Sequence, residues 1–189
     1  MASLISPCDC DPRTYQGVDE IFEYTNSDGL HYATCCGQAA AATFLTHHQR
    51  LKPETGRAEE IMALLETKFP QDQLGGRCGT GRRQVERICH AHGIGLREIR
   101  CEKQLRLSLD ANNPVIVMLG VSAGSFHGFS LPGGHWMVAY GYDRGHIYLS
   151  NHGRMTWRQF HQGWNALVPH LIRMHRRGLA ATVVSPDPG

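Results

Sequence analysis

A cysteine pair opens an alanine-rich segment early in the chain, and a histidine opens an apolar, strand-like segment far downstream. The first motif is Cys-Cys-Gly-Gln-Ala at 35–39, and the second is Gly-Gly-His-Trp-Met-Val at 133–138. Asn151 follows the histidine by sixteen residues (151 − 135). Cysteine, histidine and asparagine in this order can serve as nucleophile, base and orienting group. The pattern therefore requires a fold that brings the start of a helix against the start of a strand.

Helical spacing dominates the first half of the chain, and short apolar runs dominate the second half. The predicted helices cover 36–50, 57–69, a segment from a Thr80 cap to Gly93, 105–111 and a segment that begins after a Thr156 cap. The predicted strands cover 95–101, 114–121, 135–142, 146–150 and a final hairpin over 167–184 that turns near Arg177-Gly178. Helices first and strands later favour an α+β fold with an antiparallel sheet.

The length of the chain favours one domain, because 189 residues at 41% hydrophobic content supply one core. Residues 1–29 are polar and contain the turn formers Pro7, Pro12 and Gly17, so we expect an irregular lead-in there. The globular domain is then expected to cover 30–185.

Charge and hydropathy exclude two classes of partner. The formal net charge is +2, and the basic residues are scattered except for Arg173, Arg176 and Arg177, a pattern that does not favour nucleic-acid binding. The N-terminus lacks the apolar stretch of a signal peptide, and no run has the length of a membrane helix. We therefore expect a cytoplasmic protein without a membrane span, with export by a route that needs no signal peptide left open.

The chain has seven cysteines, an odd number without a repeating framework. This argues against a disulfide scaffold and predicts at least one free thiol. Zinc is the competing explanation, because Cys8-Asp-Cys10 and Cys89-His90-Ala91-His92 bring soft ligands close together. Neither motif has the paired two-residue spacing of structural zinc sites. We expect no metal and no cofactor.

Thiol chemistry explains the placement of the two motifs. A thiolate is stabilised at a helix N-terminus beside an imidazolium, and Cys36 lies where the alanine-rich helix is predicted to begin. His135 would accept the thiol proton, and Asn151 would fix the orientation of the imidazole ring. A hairpin turning at 143–145 would bring His135 and Asn151 to the same end of two strands. His152 is the nearest rival base, but it lacks the apolar strand behind it.

Four segments resemble papain-like cysteine peptidases, in particular the C39-like branch that processes bacteriocin leaders. These segments are Cys-Gly-Gln-Ala-Ala at 36–40, Asn-Pro-Val-Ile-Val-Met-Leu at 113–119, Gly-His-Trp-Met-Val-Ala-Tyr-Gly-Tyr-Asp at 134–143 and Thr-Trp-Arg-Gln-Phe at 156–160. The resemblance implies a papain-like α+β fold with the nucleophile at the N-terminus of a central helix, packed on an antiparallel sheet that carries His and Asn. It also implies a bacterial peptidase with a peptide or protein substrate.

By the same resemblance Cys36 rather than Cys35 is the nucleophile, His135 is the base and Asn151 is the third member of the triad. The family's glutamine, which helps to hold the oxyanion, lies six residues before the nucleophile; Leu30 occupies that position here, and His31 is the candidate substitute. Losing one oxyanion donor commonly costs about 2.7–4 kcal/mol of transition-state stabilisation. Asn151-His152 also replaces the family's usual Asp-Pro, and the chain is expected to act without a fused transporter.

Two classes of function follow from these residues. The first is a thiol hydrolase, in the first place a peptidase that cleaves a peptide or isopeptide bond through a thioester at Cys36. Acyl transfer and glutamine deamidation are variants that use the same acyl-enzyme. The second class is a non-catalytic binding module that keeps the papain-like cleft. The glycine-rich stretch 122–132, just before His135, is predicted to be a cleft-lining loop, a lid or a plain surface loop.

Overall fold

The computed structural model describes residues 2–7, 10, 12–24, 32–52, 58–72, 79–121, 133–165, 167–168, 172–173 and 178–182. The helices are α1 (Tyr32–His47), α2 (Ala58–Lys68), α3 (Arg82–Ala91), α4 (Glu102–Asp110) and α5 (Trp157–Trp164). The strands are β1 (Ala2–Ile5), β2 (Gln16–Gly17), β3 (Ile21–Tyr24), β4 (Leu96–Ile99), β5 (Val115–Val121), β6 (Gly133–Tyr142), β7 (His146–Leu149), β8 (Gly153–Thr156), β9 (Leu167–Val168), β10 (Ile172–Arg173) and β11 (Gly178–Ala181).

An antiparallel sheet forms the centre of the described structure. Its strand order is β4-β11-β5-β6-β7-β8, and β2 pairs with the end of β6. The longest ladder joins β5 to β6 from Val115↔Ala139 to Val121↔Gly133. Two further strand pairs lie outside this sheet, β1 with β3 and β9 with β10. The predicted α+β class with an antiparallel sheet is confirmed.

The two faces of this sheet bury different clusters of side chains, because successive residues of a strand point to opposite faces. On the face covered by α1, which we call the α1 face, the strands contribute Ile116, Met118, Trp136, Val138, Tyr140, Tyr148 and Leu179. On the opposite face, which we call the α5 face, they contribute Val115, Val117, Leu119, Met137, Ala139, Ile147 and Leu149, packed with residues of α4 and α5.

Helix α1 is the central helix that the alanine-rich sequence predicts. Its alanines Ala40, Ala41 and Ala42 are fully buried, and small side chains let a helix approach its neighbours closely. Cys35 has non-helical angles (φ −107°, ψ 18°), so α1 is kinked there and its regular part begins at Cys36. The helix start that the sequence predicts therefore coincides with the kink.

The remaining predicted helices and the four predicted single strands agree with the structure to within a few residues. The Thr156 cap of α5 is also confirmed. Its side chain accepts the N–H of Gln159 at 3.3 Å, and the Gln159 side chain accepts the N–H of Thr156 at 3.1 Å. This reciprocal pair is a capping box.

The predicted Thr80 cap of α3 is wrong. Gly81 is the N-cap residue of α3 and makes no side-chain capping bond, and its backbone N–H donates to Oδ1 of Asp72 at 2.6 Å. The hydroxyl of Thr80 donates instead to Oε1 of Gln38 at 2.5 Å. A tertiary partner has taken the group that the local pattern assigned to the helix end.

The predicted final hairpin over 167–184 is also wrong in its pairing. β9 pairs with β10, and β11 joins the main sheet between β4 and β5, where Leu179 lies opposite both Glu98 and Ile116. The four residues of β11 are small or aliphatic and all buried. They fit a central strand, and local spacing does not reveal such a distant partner.

The stretch predicted to be an irregular lead-in contains strands β1, β2 and β3. Ile21 and Tyr24 of β3 are buried in the same cluster as α1. The backbone N–H of Tyr24 donates to Oγ1 of Thr43 at 3.1 Å, and Thr46 donates to the Tyr24 hydroxyl at 3.1 Å. The many turn-forming residues of this stretch made β3, a short strand with buried aromatic and aliphatic side chains, hard to recognise in the sequence. The proposed domain limits of 1–29 and 30–185 stay predictions.

Two of the sequence-based expectations concern a membrane-spanning helix and a metal site. Among the helices that the structure describes, none has the length and hydropathy to cross a membrane. The described His, Cys, Asp and Glu side chains form no group of three or more that could hold a metal ion. The five described cysteines, Cys10, Cys35, Cys36, Cys89 and Cys101, are not in disulfides, and Cys8 and Cys78 lie outside the described residues.

Candidate active site

Cys36 is the first residue of the regular part of α1, and its side chain is buried. The backbone N–H groups of Trp136, Gly37 and Cys36 itself lie close enough to its sulfur to favour the thiolate. Burial outweighs them and raises the pKa of the Cys36 thiol to about 11. In this state of the protein the thiol is therefore protonated at neutral pH, and a further positive charge is needed to ionise it.

His135 lies near the start of β6, opposite Leu119 of β5, and only 2% of the residue is exposed. Trp136, the next residue, supplies the backbone N–H that contacts the Cys36 sulfur. The helix start and the histidine strand predicted to meet are thus in contact through the residue that follows His135. The catalytic roles of Cys36 and His135 stay predictions.

Asn151 follows the last residues of β7, where the pairing with β6 ends. The backbone N–H of Ser150 donates to the Val138 carbonyl at 2.9 Å, and the Val138 N–H donates to Oγ of Ser150 at 2.9 Å. The serine hydroxyl thus takes the place of a backbone carbonyl as the last acceptor of the ladder. Asn151 then lies in the turn between Leu149 of β7 and its partner Gly153 of β8.

The turn between β6 and β7 is predicted at 143–145 and is found there. The Asp143 carboxylate accepts the backbone N–H groups of Gly145 at 2.8 Å and His146 at 2.7 Å, and the Tyr148 hydroxyl at 2.8 Å. Burial alone would raise the pKa of Asp143, but these bonds outweigh it and hold the pKa below its usual value. The turn sets the register of Gly141 and Tyr142 against Tyr148 and Ile147, and an irregularity between Ala139 and Gly141 shifts that register before the strand ends near His135 and Asn151.

Thr80 connects the residues that follow Cys36 and His135. Its carbonyl accepts the indole N–H of Trp136 at 2.7 Å, and its hydroxyl donates to Gln38. Gly37 packs so closely on it that a Cβ added at Gly37 would lie 2.6 Å from the Thr80 Cβ. Sequence reasoning missed this role. The available signals were a glycine directly after the cysteine and a glutamine within a run of alanines.

Gln38 is held from a second direction, because its amide nitrogen donates to the Phe69 carbonyl at 3.0 Å. The side chain is fully buried. Both ends of its amide are hydrogen-bonded, the oxygen to Thr80 and the nitrogen to Phe69. Buried amides of this kind fix the position of the backbone that carries them. Thr80 and Phe69 together anchor the first turn of α1 beside Cys36.

Glu23 is a second residue that sequence reasoning missed. Only 8% of Glu23 is exposed, and its carboxylate accepts the backbone N–H of Asn151. Burial raises the pKa of Glu23 above the ordinary glutamate value, against the lowering effect of that hydrogen bond. A single acid between Phe22 and Tyr24 gave no sequence signal, because its partner is distant in the chain.

The candidate oxyanion residue His31 and the position of Leu30 lie outside the described residues, as does the loop at 122–132. Cys35, the neighbour of the candidate nucleophile, is buried at the kink of α1. Cys36 thus contacts the strand that carries His135. Asn151, the third predicted triad residue, follows the last hydrogen bonds between β6 and β7.

Comparison with known proteins extends this picture at the level of the fold. No family model and no curated protein sequence matches the chain. A solved structure described as that of a C39-like peptidase from Bacillus anthracis has a TM-score of 0.54 and 11% identity, and the match covers 79% of this chain and 88% of that one.

Two transporter-derived peptidases give similar values. The peptidase domain of Streptococcus ComA, a bifunctional ABC transporter of a quorum-sensing pathway, has a TM-score of 0.52 and 18% identity over 80% of this chain and 98% of that one. A double-glycine-motif protease from an AMS/PCAT transporter, solved with its leader peptide, has a TM-score of 0.53 and 14% identity over 88% and 94%. The chain therefore has the fold of C39-like peptidases, and the resemblance in the four sequence segments is confirmed at that level.

Proposed function

We propose that this chain is a cysteine-nucleophile hydrolase, and in the first place a peptidase that cleaves a peptide or isopeptide bond of a peptide or protein substrate. The observation that carries the proposal is the contact between the Cys36 sulfur, at the start of α1, and the backbone N–H of Trp136, next to His135. The shared fold with C39-like peptidases supports it, and one of those was solved with a peptide bound.

In the proposed reaction His135 takes the proton of the Cys36 thiol as the sulfur attacks the scissile carbonyl carbon. The C–N bond then breaks, the imidazolium gives its proton to the leaving amine, and a thioester remains on Cys36. Water, deprotonated by His135, attacks the thioester and releases a carboxylic acid and the thiol. Asn151 orients the imidazole ring throughout, as the third residue of a triad does.

The oxyanion of each tetrahedral intermediate requires hydrogen-bond donors close to Cys36. The backbone N–H of Cys36 itself is the first candidate, since it lies directly after the kink at Cys35, where the regular part of α1 begins. His31 is the proposed second donor. Acyl transfer to an amine, or deamidation of a glutamine side chain, would use the same residues and differ only in the substrate or in the group that resolves the thioester.

A non-catalytic binding module is the second candidate, and the burial of the thiol favours it. With its pKa at about 11, Cys36 would be almost wholly protonated at neutral pH if nothing else supplied a charge. The two classes of function therefore differ in whether His135 ionises the thiol.

Alkylation by iodoacetamide separates the two classes without knowledge of the substrate. A peptidase should show Cys36 labelling at neutral pH that falls sharply in His135→Ala, while His152→Ala and Cys35→Ser serve as matched controls. In His135→Ala the rate should follow one ionisation near pH 11, with about one thiol in ten thousand ionised at pH 7. Equal labelling rates in the parent protein and in His135→Ala would contradict the enzyme and favour the binding module.

A peptide library read by mass spectrometry tests the reaction itself. Hydrolysis gives two fragments that together contain one added water, transfer joins an amine to the acyl fragment, and deamidation exchanges a side-chain amide for an acid. All products should disappear in Cys36→Ser and persist in Cys35→Ser. Product formation in Cys36→Ser would refute the assigned nucleophile.

A further inference from the structure

The β1–β3 hairpin is attached to the helix that carries the candidate nucleophile. Glu23 pairs with Ser3 in the β1–β3 ladder. The next residue, Tyr24, receives bonds from α1 at both its backbone and its hydroxyl, because Thr43 accepts its N–H and Thr46 donates to its oxygen. The position of Glu23 is therefore fixed relative to α1.

Glu23 meets the site at Asn151. The Asn151 backbone has φ 61°, in the left-handed region that residues other than glycine adopt rarely, although asparagine tolerates it better than most. Its N–H donates to the Glu23 carboxylate. This hydrogen bond can hold the turn in a conformation that it would otherwise adopt less often.

Packing alone does not account for an acid at position 23. A glutamate residue that is nine-tenths buried loses hydration of its polar group, whereas an apolar side chain would fill the same space without that cost. The hydrogen bond to Asn151 is the contact that uses the carboxylate. It joins an N-terminal strand to a turn 128 residues away in the chain.

We propose that Glu23 is a positioning residue of the active site, which holds the backbone of Asn151 and through it the orientation of the His135 ring. The inference rests on the proposed function, since it takes Asn151 to act on His135. It makes the β1–β3 hairpin part of the catalytic unit.

Two readouts on the full chain test the proposal. The first is hydrogen exchange at the Asn151 amide, followed by NMR in protein labelled with ¹⁵N-asparagine. The amide of Asn113, which is bonded to the Ser108 carbonyl at 3.0 Å, is the internal reference. The second readout is the rate of Cys36 alkylation at neutral pH.

Glu23→Ala should raise the exchange rate at Asn151 by about tenfold, leave Asn113 unchanged and lower the alkylation rate of Cys36 by about tenfold. Glu23→Gln keeps an acceptor of the same length and should restore both rates to within about threefold of the parent protein. Glu20→Ala, which removes an exposed acid just before β3, is the matched control and should change neither rate. If Glu23→Ala does not fold, Glu23→Asp, which is one methylene shorter, replaces it with the same expectations.

An unchanged alkylation rate in the folded Ala or Asp variant overturns the proposal, whatever happens to the exchange rate. So does a Gln variant that behaves like the Ala variant while its stability matches that of the parent protein. His135→Ala is measured in parallel to separate this failure from that of the proposed function. If His135→Ala slows alkylation and the Glu23 variants do not, only the role of Glu23 is refuted; if His135→Ala has no effect, the proposed function itself fails.

Discussion

The two faces of the central sheet bury different chemistry. On the α1 face, buried polar side chains such as Gln38, Thr43 and Thr80 are hydrogen-bonded within the core around Cys36. On the α5 face, large apolar side chains such as Leu105, Phe160 and Trp164 pack against the strands. Apolar burial is nondirectional, whereas buried hydrogen bonds require fixed positions. The α5 face is thus suited to stability and the α1 face to holding Cys36 in place, while His135 lies at the start of β6 in the register of Leu119 and Met137.

Trp164→Ala should give the largest effect of all, because it empties the centre of the α5 face. Trp164 is fully buried, and its ring centroid lies 5.0 Å from that of Phe160. Truncating a buried aromatic residue costs about 3–5 kcal/mol, so the free energy of unfolding from urea denaturation should fall by that amount. Leu107→Ala, on the exposed side of α4, should cost at most about 0.5 kcal/mol. A similar cost for both substitutions would refute the assignment of the core to this face.

Asp143→Asn tests the turn that joins β6 to β7. Hydrogen bonds to charged groups contribute about 1.5–3 kcal/mol, and we expect a loss of that order at neutral pH. Asp110→Asn is the matched control, because that carboxylate also accepts a tyrosine hydroxyl but is exposed.

The effect of Asp143 should depend on pH in a defined direction. Its folded-state pKa lies below the ordinary value of 3.8, despite burial, because of the bonds from Tyr148, Gly145 and His146. The stabilisation is therefore complete above the unfolded pKa and disappears as the pH falls through the folded value. The stabilities of parent and variant should converge below pH 3.8, and a difference that grew with acidification would contradict this account.

Local pattern was sufficient to predict most of what lies along one element. The regular start of α1 at Cys36, the Asp143 turn and the Thr156 cap each depend on residues within a few positions of one another. Their physical causes are helix propensity, turn chemistry and capping, all of which can be read from neighbouring residues.

Distant partners explain what local pattern could not predict. Thr80 and Thr156 have similar sequence surroundings, yet only Thr156 caps a helix, because Gln38 accepts the hydroxyl of Thr80. Glu23 bonds a turn that lies far along the chain, and β11 inserts between two strands that precede it. The α1 face of the site was therefore harder to predict than the elements that build it.

Gly37→Ala should disturb the α1 face by a moderate amount. An ideal Cβ at this position would lie 2.6 Å from Cβ and 2.8 Å from Cγ2 of Thr80, so one of the two segments must shift. Overpacking of this kind costs about 1–3 kcal/mol, measurable by urea denaturation, and should also change the alkylation rate of Cys36. Gly95→Ala is the control, since its nearest neighbour, Oγ1 of Thr182, would lie at an ordinary 3.5 Å. Equal stability of the two variants would show that Thr80 yields without cost.

Arg106→Met should have the smallest effect, because it removes a charge at the rim of the α5 face and keeps the apolar stem. The guanidinium carbon lies 4.4 Å from the centroid of the Tyr142 ring and 4.0 Å from that of Trp157, and Glu102 pairs with it at 2.6 Å. A partly exposed contact of this type contributes about 0.5–1 kcal/mol, which thermal unfolding at low and high salt can resolve. Arg100→Met removes an arginine whose side chain is far more exposed, so it is the control and should cost less. Since Arg106 lies away from the α1 face, its loss should leave Cys36 alkylation unchanged. A changed alkylation rate in this variant would mean that the sheet transmits packing from one face to the other, and the division between a stabilising face and a face that holds Cys36 would not hold.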